Sequence, residues 1–195
     1  GSVFVSNNFL TRMEDFFDSS KPITQDSLFK IGAILIDPGH GGKDSGAVGK
    51  HTVNGKVMQI YEKDVVLKVA EDLYRRLKTS YSDKKIHMTR TDDTFLSLEE
   101  RVEIANNTPL GEHEAILYIS IHANSAFDKK ASGFEVWYLS PGYRRTILSE
   151  DAADKEILPI LNSMLEEEFT TESILIAKFI LDGMNAEIGK ESANR

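Results

Sequence analysis

IGAILID, residues 31–37, is a short apolar run, and Pro38, Gly39 and His40 follow it directly. An apolar run that ends in a Pro-Gly turn is typical of a buried β-strand. A glycine-rich loop, GHGGKDSGAVG over residues 39–49, comes next. We therefore take residues 31–37 as the first strand of the fold and interpret the rest of the chain relative to it.

Further strands and helices alternate after this loop. Short apolar runs predict strands over residues 86–89, 115–121 (AILYISI) and 134–139 (FEVWYL). Apolar positions at helical spacing predict helices over residues 62–77, 98–105, roughly 152–168 and 172–188. The alternation predicts an α/β fold with a mainly parallel, twisted sheet flanked by helices.

Composition excludes several classes of protein. The 195 residues are 41% hydrophobic and 28% charged, an ordinary balance for one globular domain. A formal net charge of -8 argues against a nucleic-acid-binding surface, which is usually basic. The chain has no cysteine, so disulfides, Cys-ligated zinc and thiol nucleophiles are excluded. No apolar run reaches the length that a membrane-spanning helix needs.

Three candidate metal ligands follow the predicted elements. We expect the strands that end at Asp37 and Ile121 to be parallel neighbours, which places their carboxyl ends at the ligand-binding edge of the sheet. His40 and His122 lie just beyond those ends. Glu62 begins the first predicted helix, where the helix dipole favours an ionised carboxylate. The sequence therefore predicts that the three side chains converge.

Two histidines and one glutamate form a known ligand set for catalytic zinc. Three protein ligands leave a fourth position for water, whose pKa the metal lowers to about 7. Each residue alone also has a simpler interpretation, as a hydrogen-bonded structural histidine or a favourable charge at a helix start. Imidazole and carboxylate ligands also accept neighbouring transition metals, so the pattern alone leaves the metal open.

Several sequence blocks resemble the zinc-dependent N-acetylmuramoyl-L-alanine amidases. The blocks are ILIDPGHGGKDSG at residues 34–46, YEKD at 61–64, TR at 89–90 and YISIHAN at 118–124. The resemblance runs in consistent order over about residues 31–195. It implies a six-stranded α/β domain with one zinc ion held by His40, Glu62 and His122. The implied reaction is hydrolysis of the amide between N-acetylmuramic acid and L-alanine in peptidoglycan, during cell-wall remodelling or daughter-cell separation.

The sequence departs from the family near its carboxyl end. Members of the family carry a general-base glutamate in a last strand, and this sequence stops at Arg195, before the matching segment. We expect a C-terminally incomplete amidase domain over residues 29–195 that hydrolyses poorly, since acid–base help contributes about 10²–10⁴ in rate. A catalytically silent peptidoglycan-binding or regulatory relative and a zinc peptidase are the alternatives.

Residues 140–171 form an insert longer than a simple connection. One interpretation is an amphipathic helix with a solvated acidic end. The resemblance implies another, because division-associated amidases cover their zinc with such a helix until an activator of the LytM type removes it. The candidate inhibitory fourth ligands are then Glu150, Glu166, Glu167 and Glu168.

The remaining predictions concern the pocket and the location of the protein. Lys43, Asp44, Ser45 and Asn124 are expected at the substrate rim. Residues 1–28 are expected to be an N-terminal arm or a tag-proximal extension. Because peptidoglycan lies outside the cytoplasmic membrane, the resemblance implies a periplasmic or secreted protein whose signal peptide was removed before residue 1.

Overall fold

The structure is a computed structural model that describes residues 30–125, 133–139 and 158–188. These residues fall into two compact units, the first formed by residues 30–125 and the second by residues 133–139 and 158–188. The first unit holds strands β1 (Lys30–Pro38), β2 (Val48–Val53), β3 (Lys56–Tyr61), β4 (Lys85–Met88) and β5 (Glu114–Ile121), with helices α1 (Glu62–Ser80) and α2 (Leu98–Asn106). The second holds helix α3 (Leu158–Ile188).

A parallel sheet with the strand order β4-β1-β5 is the centre of the first unit. Ile36 of β1 pairs with Met88 on one side and Ile119 on the other. Residues 33–36 are almost fully buried, as expected for the central strand of a covered parallel sheet. Helix α1 packs against β1 and β4 and buries Val66, Ala70 and Leu77. The predicted α/β class and the pairing of the first strand with residues 115–121 are confirmed.

A β-hairpin that the sequence analysis did not predict lies between the glycine-rich loop and Glu62. Strands β2 and β3 pair antiparallel from Val48 opposite Tyr61 to Val53 opposite Lys56. Asn54 and Gly55 form the turn, with φ angles of 51° and 76°. Positive φ at both central residues is the requirement of a type I′ turn, which Asn-Gly meets best. The Asn-Gly pair was the sequence signal for this hairpin.

The predicted strand over residues 134–139 is wrong for the structure described. Residues 133–139 join no hydrogen-bonded strand pair with other described residues. Trp137 is 81% exposed and Tyr138 is 48% exposed, while Phe134 and Val136 are half-buried. A strand needs a hydrogen-bonded neighbour, and this segment has none among the described residues.

The two helices predicted over residues 152–168 and 172–188 are one continuous helix from Leu158, and residues 152–157 lie outside the described part. The supposed break at 169–171 reads Phe-Thr-Thr and contains no glycine or proline, so nothing there stops the helix. The predicted arm, residues 1–28, and residues 140–157 of the insert also lie outside the described residues. No helix in the described ranges is both long and apolar enough to cross a membrane.

Candidate metal centre

Three potential ligand atoms meet where β1, α1 and β5 come together. Nε2 of His40 lies 3.1 Å from Oε1 of Glu62, and Nδ1 of His122 lies 3.2 Å from the same oxygen. The two imidazole nitrogens are 3.1 Å apart. Among the described residues, this is the one group of three or more histidines, aspartates and glutamates that could hold a metal ion.

The geometry of this triangle fits a tetrahedral zinc site. Zinc–nitrogen and zinc–oxygen bonds of about 2.0–2.1 Å at tetrahedral angles place neighbouring ligand atoms about 3.3 Å apart. The observed edges of 3.1–3.2 Å are close to that value. Three lone-pair atoms at this distance repel one another unless a proton or a cation lies between them. The donor set and its spacing therefore suit one divalent ion.

Glu62 is buried and held by two main-chain donors. Its Oε1 accepts the N–H of Ala123 and its Oε2 accepts the N–H of Ala47, both at 2.8 Å. Burial raises the pKa of Glu62. The two hydrogen bonds and the neighbouring His40 lower it by more than that, so the net pKa lies below its ordinary value. The side chain is thus an oriented carboxylate that is ready to bind a cation.

His40 is positioned by an unusual loop conformation. Its φ angle is 61°, a left-handed value that is uncommon for a residue with a Cβ atom. Nδ1 of its ring lies 2.9 Å from Oδ2 of Asp44, and Oδ1 of Asp44 accepts the N–H of Gly46 at 3.0 Å. The contact with His40, followed by the Gly46 hydrogen bond, lowers the pKa of Asp44.

Two buried arginines hold the backbone on which His40 lies. Arg90 donates to the carbonyls of Pro38 at 2.9 Å and Gly39 at 2.7 Å. Arg101 donates to the carbonyls of Pro38 at 3.0 Å and His40 at 2.8 Å. The sequence analysis placed Arg90 in the TR block at residues 89–90 and gave Arg101 no role at this site. Their hydrogen bonds fix the loop against the end of the sheet.

Two glycines allow the ligands to come close. A Cβ atom on Gly39 would lie 2.2 Å from Cε1 of His122. A Cβ atom on Gly46 would lie 2.6 Å from Cδ2 of His40 and 2.8 Å from Cβ of Glu62. Side chains at these two positions would collide with the cluster, which explains why the loop is rich in glycine.

The four predicted rim residues have local partners in the loop or lie on the surface. Nζ of Lys43 lies 4.4 Å from the ring centroid of Phe95. Ser45 donates from its hydroxyl to the carbonyl of Gly46 at 3.1 Å. Asn124 is exposed next to Ala123, and the carboxylate of Asp44 contacts His40. Their contact with substrate stays a prediction.

The candidate inhibitory glutamates all belong to the insert, residues 140–171, in the sequence. Glu150 lies outside the described part of the chain, and so does the side chain of Glu168. Glu166 and Glu167 lie on α3 in the second unit. Within the described ranges, Oε1 of Glu166 is buried without a hydrogen-bond partner. An inhibitory role for any of the four stays a prediction.

Comparison with known proteins gives the family. A sequence profile described as N-acetylmuramoyl-L-alanine amidase matches residues 34–195, which include all three ligand positions and most of the chain. The chain belongs to the N-acetylmuramoyl-L-alanine amidase family. The resemblance that the sequence blocks indicated is confirmed by this match.

Several relatives within the amidase family are curated proteins. The chain is 42% identical over 107 residues to the amidase AmiC of Escherichia coli O6:H1. The matched region covers 55% of this chain and 22% of the relative. It is 37% identical over 137 residues to AmiA of Salmonella typhimurium, and that matched region covers 70% of this chain and 42% of the relative. The chain thus spans less than half the length of either relative.

Solved amidase structures are also similar to this chain. One is the catalytic domain of CwlV, an N-acetylmuramoyl-L-alanine amidase from Bacillus (Paenibacillus) polymyxa var. colistinus. It is 33% identical, covers 67% of this chain and 60% of that chain, and has a TM-score of 0.46.

Proposed function

We propose that this amidase hydrolyses the amide bond between N-acetylmuramic acid and L-alanine of peptidoglycan in a zinc-dependent reaction. The observation that carries the proposal is the triangle of His40 Nε2, Glu62 Oε1 and His122 Nδ1, whose edges suit one tetrahedral ion. Family membership supports the substrate class.

In this proposal each part of the site has a separate task. His40, Glu62 and His122 would hold the ion, which when bound supplies a Lewis acid and lowers the pKa of water to about 7. The main-chain N–H groups of Ala47 and Ala123 keep the carboxylate of Glu62 oriented. The arginine contacts with the loop keep His40 in place, so little reorganisation is needed when a metal binds.

The proposal includes three finer points on activity, regulation and location. We assign no general base among the described residues, and slow turnover by residues 1–195 stays a prediction. We also propose autoinhibition by residues 140–171 that a LytM-type activator relieves. Its support is the acidic residues of that segment. Action in the periplasm or outside the cell follows from the location of the proposed substrate.

Metal content and peptide release together test the proposed function. The purified chain should bind one zinc ion per molecule and release, from isolated peptidoglycan, peptides that begin with a free L-alanine amino group. Glu62→Gln keeps the shape of the side chain but removes its charge. It should weaken zinc binding by more than about 100-fold, because losing a ligand costs more than losing an outer-shell partner. Mass spectrometry of released peptides and competition with a chelator measure the two effects.

His51→Ala is the matched control. His51 is an exposed histidine on β2 in the same unit, and it is not part of the cluster. Its replacement should leave zinc affinity and peptide release unchanged. Zinc binding of equal strength in Glu62→Gln and the unmodified chain would refute the assigned site. Zinc binding at the site without any release of L-alanine peptides would instead favour a silent relative.

A further inference from the structure

Asp44 lies behind His40 and joins it to the loop. Its Oδ2 is 2.9 Å from Nδ1 of His40, and its Oδ1 accepts the N–H of Gly46 at 3.0 Å. The other ring nitrogen of His40, Nε2, faces Glu62 and His122 at 3.1 Å. One edge of the imidazole therefore faces Asp44, and the opposite edge faces the proposed metal position.

The backbone prevents Asp44 from moving away from this contact. Gly41 donates its N–H to the carbonyl of Asp44 at 2.9 Å, and Asp44 donates its own N–H to the carbonyl of Gly41 at 3.0 Å. This reciprocal pair closes a tight turn that contains Gly42 and Lys43. The main chain of Asp44 is therefore held beside His40, and the hydrogen bond from Gly46 orients its carboxylate.

Hydrogen-bond chemistry then determines which nitrogen of His40 carries the proton. A neutral imidazole has one N–H donor and one lone-pair acceptor, while an ionised carboxylate can only accept. A proton on Nδ1 gives a good hydrogen bond to Asp44 and leaves a lone pair on Nε2. A proton on Nε2 could be donated to Glu62 at 3.1 Å, but it would set the lone pair of Nδ1 against the carboxylate of Asp44 at 2.9 Å. In the metal-free chain, a proton on Nδ1 of His122 can lie between the ligand atoms instead, 3.1 Å from Nε2 of His40 and 3.2 Å from Oε1 of Glu62.

We propose that Asp44 is a positioning residue that holds His40 as the Nδ1–H tautomer, so that the Nε2 lone pair is available to a metal ion. The inference rests on the proposed function, since it assigns how one of the three ligands is prepared. It also gives Asp44 a role distinct from the substrate rim. Carboxylate partners of this kind fix the orientation of ligating histidines in metal sites generally.

Asp44→Asn is the informative substitution, because the asparagine side chain has nearly the same shape but only one acceptor oxygen. If that oxygen accepts from Gly46, the amide NH₂ faces Nδ1 and drives the proton onto Nε2. If the amide turns over, its NH₂ faces the N–H of Gly46, and that backbone donor loses its partner. In both orientations we expect zinc affinity to fall about 10–100-fold.

Asp93→Asn is the matched control. Asp93 also accepts a main-chain N–H from the same loop, that of Gly42 at 2.8 Å, and pairs with Lys63 at 2.7 Å. The side chains of Asp93 and Asp44 are 55% and 46% exposed, so the two substitutions are comparable. These hydrogen bonds of Asp93 go to Gly42 and Lys63 rather than to His40, so its replacement should change zinc affinity less than about threefold.

Two measurements on the full chain decide the inference. Competition with a chelator gives the zinc affinities of the unmodified chain, Asp44→Asn and Asp93→Asn. Nitrogen NMR of the metal-free chain at about pH 8, above the ordinary histidine pKa, reports which nitrogen of His40 carries its proton. We expect the Nδ1–H tautomer in the unmodified chain and a shift towards Nε2–H in Asp44→Asn.

Either of two results would overturn the inference: an Nε2–H tautomer in the unmodified chain, or zinc affinity in Asp44→Asn within about threefold of the unmodified value. The tautomer measurement needs neither a metal nor a variant, so it remains decisive if Asp44→Asn does not fold. It also separates this inference from the proposed function. An unmodified chain that binds no zinc refutes the proposed function, while the tautomer of His40 is still read directly.

Discussion

Asp37 is a buried carboxylate at the end of β1, immediately before the turn that leads to His40. It accepts hydrogen bonds from Thr89 at 2.6 Å and Ser120 at 2.9 Å, and it forms an ion pair with Arg101. Burial raises the pKa of Asp37, but these partners lower it by more, so the net pKa lies below the ordinary value of 3.8. The same arginine donates to the carbonyl of His40, which connects this charge to the candidate metal centre.

Asp37→Asn should therefore destabilise the fold in a pH-dependent way. At pH 7 the variant leaves Arg101 buried without its counter-charge, which costs about 3–5 kcal/mol in the free energy of unfolding. Because the folded-state pKa is lowered, the stabilisation from Asp37 is complete above 3.8 and is lost as the pH falls below it. Urea unfolding of both proteins should show a difference in stability that narrows below that pH.

Asp83→Asn is the control for this experiment, because Asp83 is an exposed residue in the turn between α1 and β4. It should change the free energy of unfolding by less than about 0.5 kcal/mol at pH 7. A difference between Asp37→Asn and the unmodified chain that stays constant from pH 7 to about pH 3 would contradict the linkage argument.

At the scale of elements, local patterns predicted much of the fold. Three elements could be recognised from their own residues alone. They are the strands at the apolar runs 31–37 and 115–121 and the helix with the apolar stripe through residues 62–77. The Asn54-Gly55 turn was equally local and was overlooked. The strand at 134–139 failed because strand formation depends on a partner elsewhere in the chain, which no local pattern supplies.

The sequence was enough to predict which three residues form the candidate site, but not the contacts that hold them in place. His40 and His122 follow strand ends and Glu62 begins a helix, so topology was enough to bring them to one edge. The contact between Asp44 and His40 depends on a positive φ angle at His40 and on the turn closed by Gly41. The donors to Glu62 are main-chain groups of Ala47 and Ala123, whose side chains carry no chemical signal.

The glycine-rich loop packs against the start of α1 at Gly46. Gly46→Ala would place a Cβ atom 2.6 Å from Cδ2 of His40 and 2.8 Å from Cβ of Glu62, at a φ of 61°. Gly55→Ala is matched to it, with a φ of 76° but nothing within 4 Å of the new atom. Both should lose about 1–2 kcal/mol of stability from the left-handed backbone. Gly46→Ala alone should also weaken zinc binding by at least about tenfold.

Chemical denaturation and chelator competition measure these two effects separately. Equal zinc affinities in Gly46→Ala and Gly55→Ala would mean that the close packing around Gly46 does not control the ligands. A loss of zinc affinity in both would point to the backbone strain, or to the hairpin as a whole, rather than to the contact with His40 and Glu62.

At the scale of the whole molecule, the cluster joins parts of the chain that are far apart in sequence. His40 follows β1, Glu62 begins α1 and His122 follows β5, so the three ligand atoms are brought together only when the first unit is folded. An ion that binds the folded chain and not the unfolded one stabilises the folded state by mass action. Zinc at 100 times its dissociation constant should therefore add about 2.7 kcal/mol.

Thermal unfolding with zinc and with a chelator tests this coupling. The unmodified chain should unfold at a higher temperature when zinc is present, and the shift should grow with the logarithm of zinc concentration. His122→Ala removes one ligand whose side chain is 41% exposed, so it should abolish the zinc-dependent shift while changing the chelator-treated protein little. A shift of equal size in His122→Ala would mean that zinc stabilises the protein from another position, because two remaining ligands cannot hold the ion with the same affinity.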